Sequence, residues 1–567
     1  MHKGSTRGLA IPLATLGAGL AALGAVSSDA LATRCLQHDL RTYTDQIVPV
    51  PQSEMIPTHQ PGSRMGPPAD PNVGDSWLWY TWLLGGFPVA EEKMCTVRGE
   101  GEHVYIVVED SQWGTNVDQA DVDAMLEAWD NSSVGNFPTK GIYELDSENF
   151  GPVPDQLDND PKVYVLWYDF DVSADGFFWA FDMFPDGSQD FASNETEVLY
   201  MNSSDFDPGG DYLIAVQAHE FQHMIHWLAD SNEASWINEG ASELAMWLYG
   251  RPDNITAFPS LPDNNLTQWN SNFADYVKTY LFFLYLYEQY GGQATILDLV
   301  AQPSNSFTGV DIALDNAGYT ENFVDVVADW FVANYIDDPS FGDGRFGYVG
   351  DDLPNFAAIT KSTYPVPLTN ANVNHWATDY IKMINVDPAQ SLTFDGGDTS
   401  DWAAWVIQRL AGETVSVTRM ELDGVDSGTY FLPPTGATYD EAILVAGNIS
   451  NAGLTTYSYR TDNDVAGFDP PDLDRAGFRF QLAGENPSRS ETRFRLHLDT
   501  VDQVDIRIYG PDGREVRQLL HEQRGSGFDV TWDGRDASGD AVPAGVYLAR
   551  VRTGSGLEES VQVVRVK

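Results

Sequence analysis

The sequence predicts a multidomain α+β protein in which a domain with a mixed sheet edge and several helices precedes two β-sandwiches. The chain has 567 residues, which is enough for several domains with separate cores. Stretches with apolar residues at helical spacing are concentrated between residues 211 and 335. From about residue 375 onward, short β-rich runs alternate with turns rich in Gly and Asp.

Composition and charge restrict the classes of function. The chain contains 16 Trp, 25 Tyr and 28 Phe, so it is a folded protein and not a disordered acidic polymer. Its formal net charge of −53 argues against nucleic acid or an anionic membrane surface as a partner. No complete EF-hand loop is present, and we interpret the Asp-rich residues 155–160 as a loop, so Ca²⁺ binding stays open.

The N-terminus is typical of an exported bacterial protein. A basic start is followed by an apolar run over residues 9–26 and by the small-x-small site Ala30-Leu31-Ala32. Gly and Pro interrupt the apolar run, which favours a cleaved signal peptide over a permanent anchor. We therefore predict a signal peptide over residues 1–32, a mature chain that starts at Thr33, and a secreted protein.

A segment rich in Pro and polar residues follows the predicted signal peptide. Residues 33–97 are interpreted as an extended arm or pro-segment in front of the first domain, which we place at residues 98–365. The only two cysteines of the chain, Cys35 and Cys95, both fall in this segment. In an exported protein such a pair is most simply one disulfide, which would fasten the mature N-terminus.

The sequence His219-Glu220-Phe221-Gln222-His223 lies within a stretch that is predicted to be helical from Asp211 to Leu228. Histidines four residues apart project from the same face of a helix, where their ring nitrogens can bind one Zn²⁺. A glutamate next to the first histidine can then act as a general base. The motif therefore predicts a zinc centre with Glu220 as its base.

A second predicted helix, from Ala234 to Tyr249, follows after a short turn and carries Glu239 and Glu243. Short connections favour antiparallel neighbours, so Glu239 can fold back towards the histidine pair as a third ligand. Three protein ligands leave the fourth position of the metal open to water. Glu243, one turn further on, is predicted to accept the other ring N–H of a liganding histidine.

HEFQH with a downstream NEGASE resembles the gluzincin class of zinc metallopeptidases, in which a glutamate on the next helix is the third ligand. The longer sequence AHEFQHMIH…WINEGASELA more closely resembles the hyicolysin-like secreted peptidases. A metzincin would need a Gly three residues after the second histidine, where this chain has His226. We interpret His226 as a packing residue rather than a ligand.

The resemblance also implies two features of the cleft. In zinc peptidases of this class the strand before the active-site helix commonly borders the cleft and can pair with an extended substrate, a role that we assign to residues 197–202. A tyrosine or histidine commonly stabilises the oxyanion. In the aromatic helix predicted from Phe273 to Tyr290, Tyr276 is favoured over Tyr280 for this role, although core packing is the simpler explanation for either.

Two β-rich regions are predicted after the first domain. Residues 366–462 are predicted to form a β-sandwich, and residues 463–477 a linker rich in Asp and Pro. Residues 478–567 resemble the immunoglobulin-like (Ig-like) domain of the flagellar hook-capping protein, a module related to the sorting tails of secreted bacterial proteins. The resemblance implies export or attachment to the cell surface, and a passive spacer remains the alternative.

These features together predict a secreted, zinc-dependent endopeptidase that acts as a monomer on protein or peptide substrates. The competing hypothesis is a cell-surface binding or adhesion protein whose peptidase-like domain is inactive. A third hypothesis gives the metal a purely structural role.

Overall fold

The computed structural model describes residues 35–465 apart from 69, 156 and 452, and residues 478–483, 488, 491–498, 502–510, 514–524, 528–554 and 558–566. The predicted signal peptide and most of the predicted linker lie outside these residues. The described chain forms a multidomain α+β structure with helices, a mixed sheet and two sandwich-like pairs of sheets. No described helix is both long and apolar enough to cross a bilayer.

The N-terminal sheet has six strands in the order β1-β2-β3-β4-β6-β5. These strands are β1 (Ser76–Leu83), β2 (Val89–Glu100), β3 (Val104–Glu109), β4 (Val163–Tyr168), β5 (Gly176–Phe178) and β6 (Val198–Asn202). The central strands β3, β4 and β6 are parallel, and every other pairing is antiparallel. The predicted boundary between residues 97 and 98 therefore cuts through β2, because the sheet already begins at Ser76.

Nine α-helices lie within the described residues. They are α1 (Gln37–Thr44), α2 (Gln119–Asp130), α3 (Ile142–Phe150), α4 (Asp211–Ala229), α5 (Ser235–Tyr249), α6 (Phe273–Gln289), α7 (Gln293–Ala301), α8 (Phe307–Ala317) and α9 (Phe323–Ile336). The ends of α4, α5 and α6 lie within one residue of the predicted ends. Helix α1 lies in the segment that was predicted to be extended, because Leu36 and Leu40 are buried against the sheet.

The two faces of the N-terminal sheet contact different cores, as the alternation of side chains along a strand requires. In β3, Val104, Ile106 and Val108 face the core that the helices cover. Tyr105 and Val107 face the opposite core, which is rich in Trp and Tyr and includes the buried residues of α1. The N-terminal arm thus belongs to the folded domain.

The first sandwich consists of a four-stranded sheet, β13-β10-β15-β8, and a five-stranded sheet, β12-β11-β14-β9-β7. Its strands are β7 (Ile359–Lys361), β8 (Thr369–Val373), β9 (Ala377–Ile384), β10 (Gln390–Asp395), β11 (Trp402–Leu410), β12 (Glu413–Arg419), β13 (Ser427–Leu432), β14 (Glu441–Asn448) and β15 (Thr455–Asp462). The sandwich begins at β7, a few residues before the predicted start at 366. Tyr380 and Trp405 of this sandwich belong to the core of the helices.

The C-terminal residues form a second sandwich with sheets β16-β17-β20 and β19-β18-β21-β22. Its strands are β16 (Phe478–Leu482), β17 (Thr492–Leu498), β18 (Asp502–Tyr509), β19 (Glu515–Arg524), β20 (Phe528–Trp532), β21 (Gly545–Thr553) and β22 (Glu558–Arg565). Its buried core contains only residues of this region, with Trp532 fully buried.

The predicted disulfide between Cys35 and Cys95 is wrong, because both thiols are free and buried. Cys95 lies in β2, and its sulfur lies 3.6 Å from the carbonyl oxygen of Lys93 in the same strand. Cys35 lies just before α1 and is directed into the helical layer instead, next to His223.

Candidate metal centre

Helix α4 brings His219 and His223 together at the centre of the first domain. Their positions four residues apart place both imidazoles on the same face of the helix, and their Nε2 atoms lie 3.1 Å from each other. His219 is fully buried and His223 is 1% exposed. Two imidazole nitrogens that converge in this way can bind one metal ion.

Glu239 approaches the histidine pair from helix α5, the predicted neighbour of α4. Its Oε2 atom lies 3.5 Å from Nε2 of His219 and 3.7 Å from Nε2 of His223. The same oxygen is buried and has no hydrogen-bond partner. Only five residues, 230–234, connect the two helices, so the structure brings the three predicted ligands to one point.

Two side chains of α5 orient the imidazoles. Nδ1 of His223 lies 3.1 Å from the Ser242 hydroxyl, whose own proton is donated to either Gln222 or Asn238. Because that proton is used elsewhere, Nδ1 of His223 donates to Ser242, and Nε2 keeps its lone pair for a metal. Nδ1 of His219 lies 3.2 Å from Oε1 of Glu243, close enough for an ion pair, but neither atom makes a hydrogen bond, so the predicted role of Glu243 as a hydrogen-bond acceptor stays a prediction.

Cys35 is a fourth candidate ligand, which the sequence did not predict. Its sulfur lies 3.4 Å from Nε2 of His223 and 3.6 Å from Oε2 of Glu220. Ligand atoms of Cys35, His219, His223 and Glu239 all lie within 4.8 Å of one another. No sequence signal connects residue 35 with a motif almost two hundred residues further on, so only the fold reveals this contact.

The distances between the four ligand atoms fit a single small cation. Zinc bonds to N, O and S ligands imply separations of about 3.3 to 3.6 Å between ligand atoms at tetrahedral corners. Four of the six separations, at 3.1, 3.4, 3.5 and 3.7 Å, are close to these values, and all six lie within 4.8 Å. The donor set of two imidazoles, a carboxylate and a thiol also suits Zn²⁺.

The buried acids provide a second test of whether these residues fit a divalent cation. Glu220, Glu239 and Glu243 are all at most 1% exposed and lie around the two imidazoles. Burial raises the pKa of Glu220 to about 8, and burial also raises the pKa values of Glu239 and of the Cys35 thiol. Buried carboxylates are costly unless a positive charge accompanies them, and a bound divalent cation would allow them and the thiol to ionise.

The two imidazoles have opposite pKa shifts. Burial lowers the pKa of His219, but the nearby Glu239 and Glu243 outweigh it and raise the pKa well above its ordinary value. Burial and the charge of His219 lower the pKa of His223 well below its ordinary value. The pair therefore carries at most one positive charge, and neutral His223 keeps one ring nitrogen with a lone pair for a metal.

Tyr276 and His226 lie at different distances from the centre. The hydroxyl of Tyr276, on α6, donates to the backbone carbonyl of Cys35 at 3.3 Å, so this side chain does reach the rim of the centre. His226 is buried one turn beyond His223, and its Nδ1 lies 3.2 Å from the amide nitrogen of Gln222. His226 does not belong to the described ligand cluster.

The strand at the edge of the sheet beside Glu220 is β5, whereas the strand at residues 197–202, which was predicted to border a substrate cleft, lies one position further in. Strand β6 occupies that position in the chain, but β5 pairs with it and forms the edge of the sheet. A Cβ atom at Gly176 of β5 would lie 3.0 Å from Cγ of Glu220. Glycine thus lets the edge strand approach Glu220.

Asp146 is a further buried acid that no sequence motif marks. It lies on α3, which packs against α4, and both of its carboxyl oxygens are buried without a hydrogen-bond partner. Burial raises its pKa well above the ordinary value. A single acid in an otherwise ordinary helical pattern provides no signal that would distinguish it from a surface residue.

Residues 485–556 match the sequence model of the FlgD Ig-like domain family. This match confirms the Ig-like module that was predicted at the C-terminus. The residues that carry the peptidase resemblance lie outside the match. No curated protein matches this chain.

Solved structures share only limited regions with this chain. PorZ, a bacterial surface component of the type-IX secretion system of Porphyromonas gingivalis, is 19% identical over 22% of this chain and 15% of its own, with a TM-score of 0.13. Dimeric latent PorU from Porphyromonas gingivalis is 18% identical over 37% of this chain and 19% of its own, with a TM-score of 0.18. A β-glucuronidase from Faecalibacterium prausnitzii is 9% identical over 33% and 36%, with a TM-score of 0.14.

Proposed function

We propose that this protein is a secreted zinc-dependent endopeptidase. The observation that carries the proposal is the convergence of His219, His223 and Glu239 on one buried point, with the carboxyl group of Glu220 beside it. Three protein ligands of this kind with an adjacent acid are the arrangement of catalytic zinc sites in peptidases. A solvated helix surface does not explain acids that are buried and lie against two imidazoles.

Each residue of the centre has a role in this proposal. His219, His223 and Glu239 would hold Zn²⁺, which supplies Lewis-acid polarisation of the scissile carbonyl and makes water more acidic. Glu220 accepts the proton of the attacking water and delivers it to the leaving amine. Tyr276, whose hydroxyl donates to the backbone carbonyl of Cys35, would donate in the same way to the developing oxyanion of a substrate.

The proposed location follows from the predicted signal peptide and from the Ig-like domain at residues 485–556. The predicted signal peptide favours export, and the FlgD Ig-like domain favours either attachment to the cell surface or handling by secretion machinery. Protein or peptide substrates would pair with the edge strand β5 at the position where Cys35 now forms a bridge with Gly176. The net charge of −53 argues against nucleic acid.

The test of this proposal is Glu220→Gln in a Cys35→Ala background, because Cys35 occupies the centre. The amide of Gln cannot accept a proton from water. Casein cleavage should therefore fall at least a thousandfold relative to Cys35→Ala alone, while one equivalent of zinc stays bound. Glu91→Gln, at an exposed position of β2, is the matched control and should leave cleavage unchanged. Cleavage by the double variant at the rate of Cys35→Ala alone would disprove the proposed mechanism.

A second candidate function is a binding protein whose metal is only structural. Cys35 favours it, because four protein ligands are typical of structural zinc sites, whereas catalytic sites keep one position open. Under this alternative, every variant would bind zinc and none would cleave casein.

A further inference from the structure

We propose that Cys35 and helix α1 form an inhibitory arm, in which the Cys35 thiolate is the fourth metal ligand and closes the centre. The full-length chain would then be latent, and departure of the arm would open the fourth position to water. This inference rests on the proposed peptidase function and names how that site is regulated. It also explains why a catalytic constellation contains a fourth protein ligand.

The sulfur of Cys35 occupies the position that a reacting water would need. It lies within 3.6 Å of both Nε2 of His223 and Oε2 of Glu220, so it separates the ligand cluster from the base. The backbone N–H of Gln37 donates to the same sulfur at 3.2 Å, which helps to hold the sulfur at this point. A thiolate is a strong ligand for zinc, and it binds only in its deprotonated form.

The backbone of Cys35 also contacts the groups that a substrate would use. Its carbonyl oxygen accepts from Tyr276, the residue proposed to stabilise the oxyanion. Cys35 forms an isolated parallel bridge with Gly176 at the edge strand β5. The arm therefore covers the sheet edge and the oxyanion donor in addition to the metal.

Side chains of α1 fasten the arm to the loop between the ligand helices. Arg41 donates to the carbonyl oxygens of Asn232 at 2.9 Å and Glu233 at 2.5 Å. His38 lies 2.9 Å from the hydroxyl of Ser235, and Leu40 is 4% exposed. These contacts hold Cys35 in place without any covalent bond, so the arm can be removed.

Little space remains beside the docked arm. A cavity of about 30 Å³ is lined by residues of α1 together with His223 and Glu239. This volume holds one or two water molecules and excludes an extended peptide. Access to the centre therefore requires movement or loss of the arm.

The segment after α1 offers a place where the arm can be cut. Val48 is 64% exposed and Ile56 is 63% exposed, and most residues between them are exposed as well. Hydrolysis of one peptide bond in this segment would leave the arm attached only by its noncovalent contacts and by the proposed bond between Cys35 and the metal. Once the arm dissociates, the fourth position is open and Tyr276 is free to bind a substrate.

The test of the thiolate ligand uses the full mature chain loaded with Co²⁺, which gives a near-ultraviolet charge-transfer band when a thiolate binds it. The parent should show this band with one equivalent of Co²⁺, and Cys35→Ser should lose the band while it still binds the ion. Cys95→Ser is the matched control, because Cys95 is the other buried thiol and lies in β2. It should keep the band.

Latency is measured on the zinc-loaded proteins with a quenched peptide substrate. Cys35→Ser should cleave at least tenfold faster than the parent, and Cys95→Ser should equal the parent. Arg41→Ala keeps the thiol but weakens docking of the arm, so it should cleave faster than the parent and should lose the arm more readily after limited proteolysis. Arg41→Ala therefore tests the inhibitory arm even if Cys35→Ser does not fold.

The outcomes separate the two proposals. If the parent lacks the band and cleaves as fast as Cys35→Ser, the inhibitory arm is disproved and the peptidase function stands. If the band is present but neither Cys35→Ser nor the trimmed chain cleaves any substrate, Cys35 is a structural ligand, and both the peptidase function and latency are disproved. A band that depends on Cys35, together with faster cleavage by both variants, supports the inference.

Discussion

At the scale of single residues, the centre depends on groups that fix which ring nitrogen is free. Ser242 passes its proton to Gln222 or Asn238, and this leaves it as the acceptor for Nδ1 of His223. Such partners matter because metal affinity depends on ring orientation as well as on the ligand atom. The histidine spacing predicts the ligands, but it does not predict the hydroxyl.

Ser242→Ala tests this orienting role. Removal of the hydroxyl leaves Nδ1 of His223 without its acceptor, so we expect zinc affinity to fall by about 10- to 100-fold. Competition with a chromophoric chelator measures the change. Unchanged affinity would show that Glu243 and the helix packing orient the rings without Ser242.

Asp182 links folding to pH at a position away from the centre. It is fully buried, and it accepts hydrogen bonds from Tyr200 at 2.6 Å and from the backbone N–H of Asn194 at 2.5 Å. Burial raises its pKa from 3.8 to about 7. Between these values the folded chain binds more protons than the unfolded chain, so this acid lowers stability as pH rises from about 4 to 7.

Asp182→Asn should remove this dependence on pH. Between pH 5 and pH 8, the parent should lose about 2–3 kcal/mol of unfolding free energy relative to the variant. Denaturant titrations of both proteins at the two pH values measure the difference. Parallel pH profiles would show that the carboxyl group stays ionised in the folded chain.

At the scale of elements, the distance between helices α5 and α6 positions Glu239. A Cβ atom at Gly240 would lie 2.4 Å from Cδ2 of Phe283, which is fully buried in α6. Glycine at this position therefore permits a close approach of the two helices. The approach places the preceding residue, Glu239, at the histidine pair.

Gly240→Ala should move α5 away from α6. We expect a loss of about 1–3 kcal/mol in unfolding free energy and a weaker affinity for zinc, because Glu239 moves with its helix. Gly86→Ala is the matched control, since a Cβ there meets nothing within 4 Å. Thermal unfolding with and without zinc measures both effects, and equal behaviour of the two variants would contradict the role of Gly240.

The sequence was sufficient for the elements whose signals are local. Helices α4 and α5 follow from apolar spacing and from the Gly250 that ends α5 in a left-handed conformation. Helix α1 was missed because its short, polar stretch is stabilised mainly by Leu36 and Leu40 against the sheet. The edge strand was misassigned because β5 has only three residues, and only its pairing with β6 reveals it.

At the scale of the whole molecule, the helical layer and the first sandwich share one core. The rings of Trp376 and Phe323 lie 4.8 Å apart, and the hydroxyl of Tyr380 donates to the carbonyl oxygen of Phe331 at 2.6 Å. The predicted boundary at 365 follows the change from helical to β-rich sequence. That change does not coincide with the end of the first core, because contacts across it are invisible to local patterns.

Two truncations test this organisation. A chain that ends after residue 465 should fold and bind zinc like the full chain, because the C-terminal sandwich has its own core. A chain that ends after residue 365 should unfold or aggregate, since it exposes the apolar residues that pack against the first sandwich. Circular dichroism and zinc content compare the two truncated chains. A well-folded chain that ends after residue 365 would contradict the shared core.

Arg41 restrains the loop that joins the two ligand-bearing helices. Its guanidinium group binds carbonyl oxygens in the loop at residues 230–234, which joins the helix of the histidines to the helix of Glu239. A chain that lacks residues 33–47 should therefore exchange the amide hydrogens of this loop with deuterium faster than the intact chain. The hinge between the ligand-bearing helices would then gain freedom at the same moment that the metal becomes accessible.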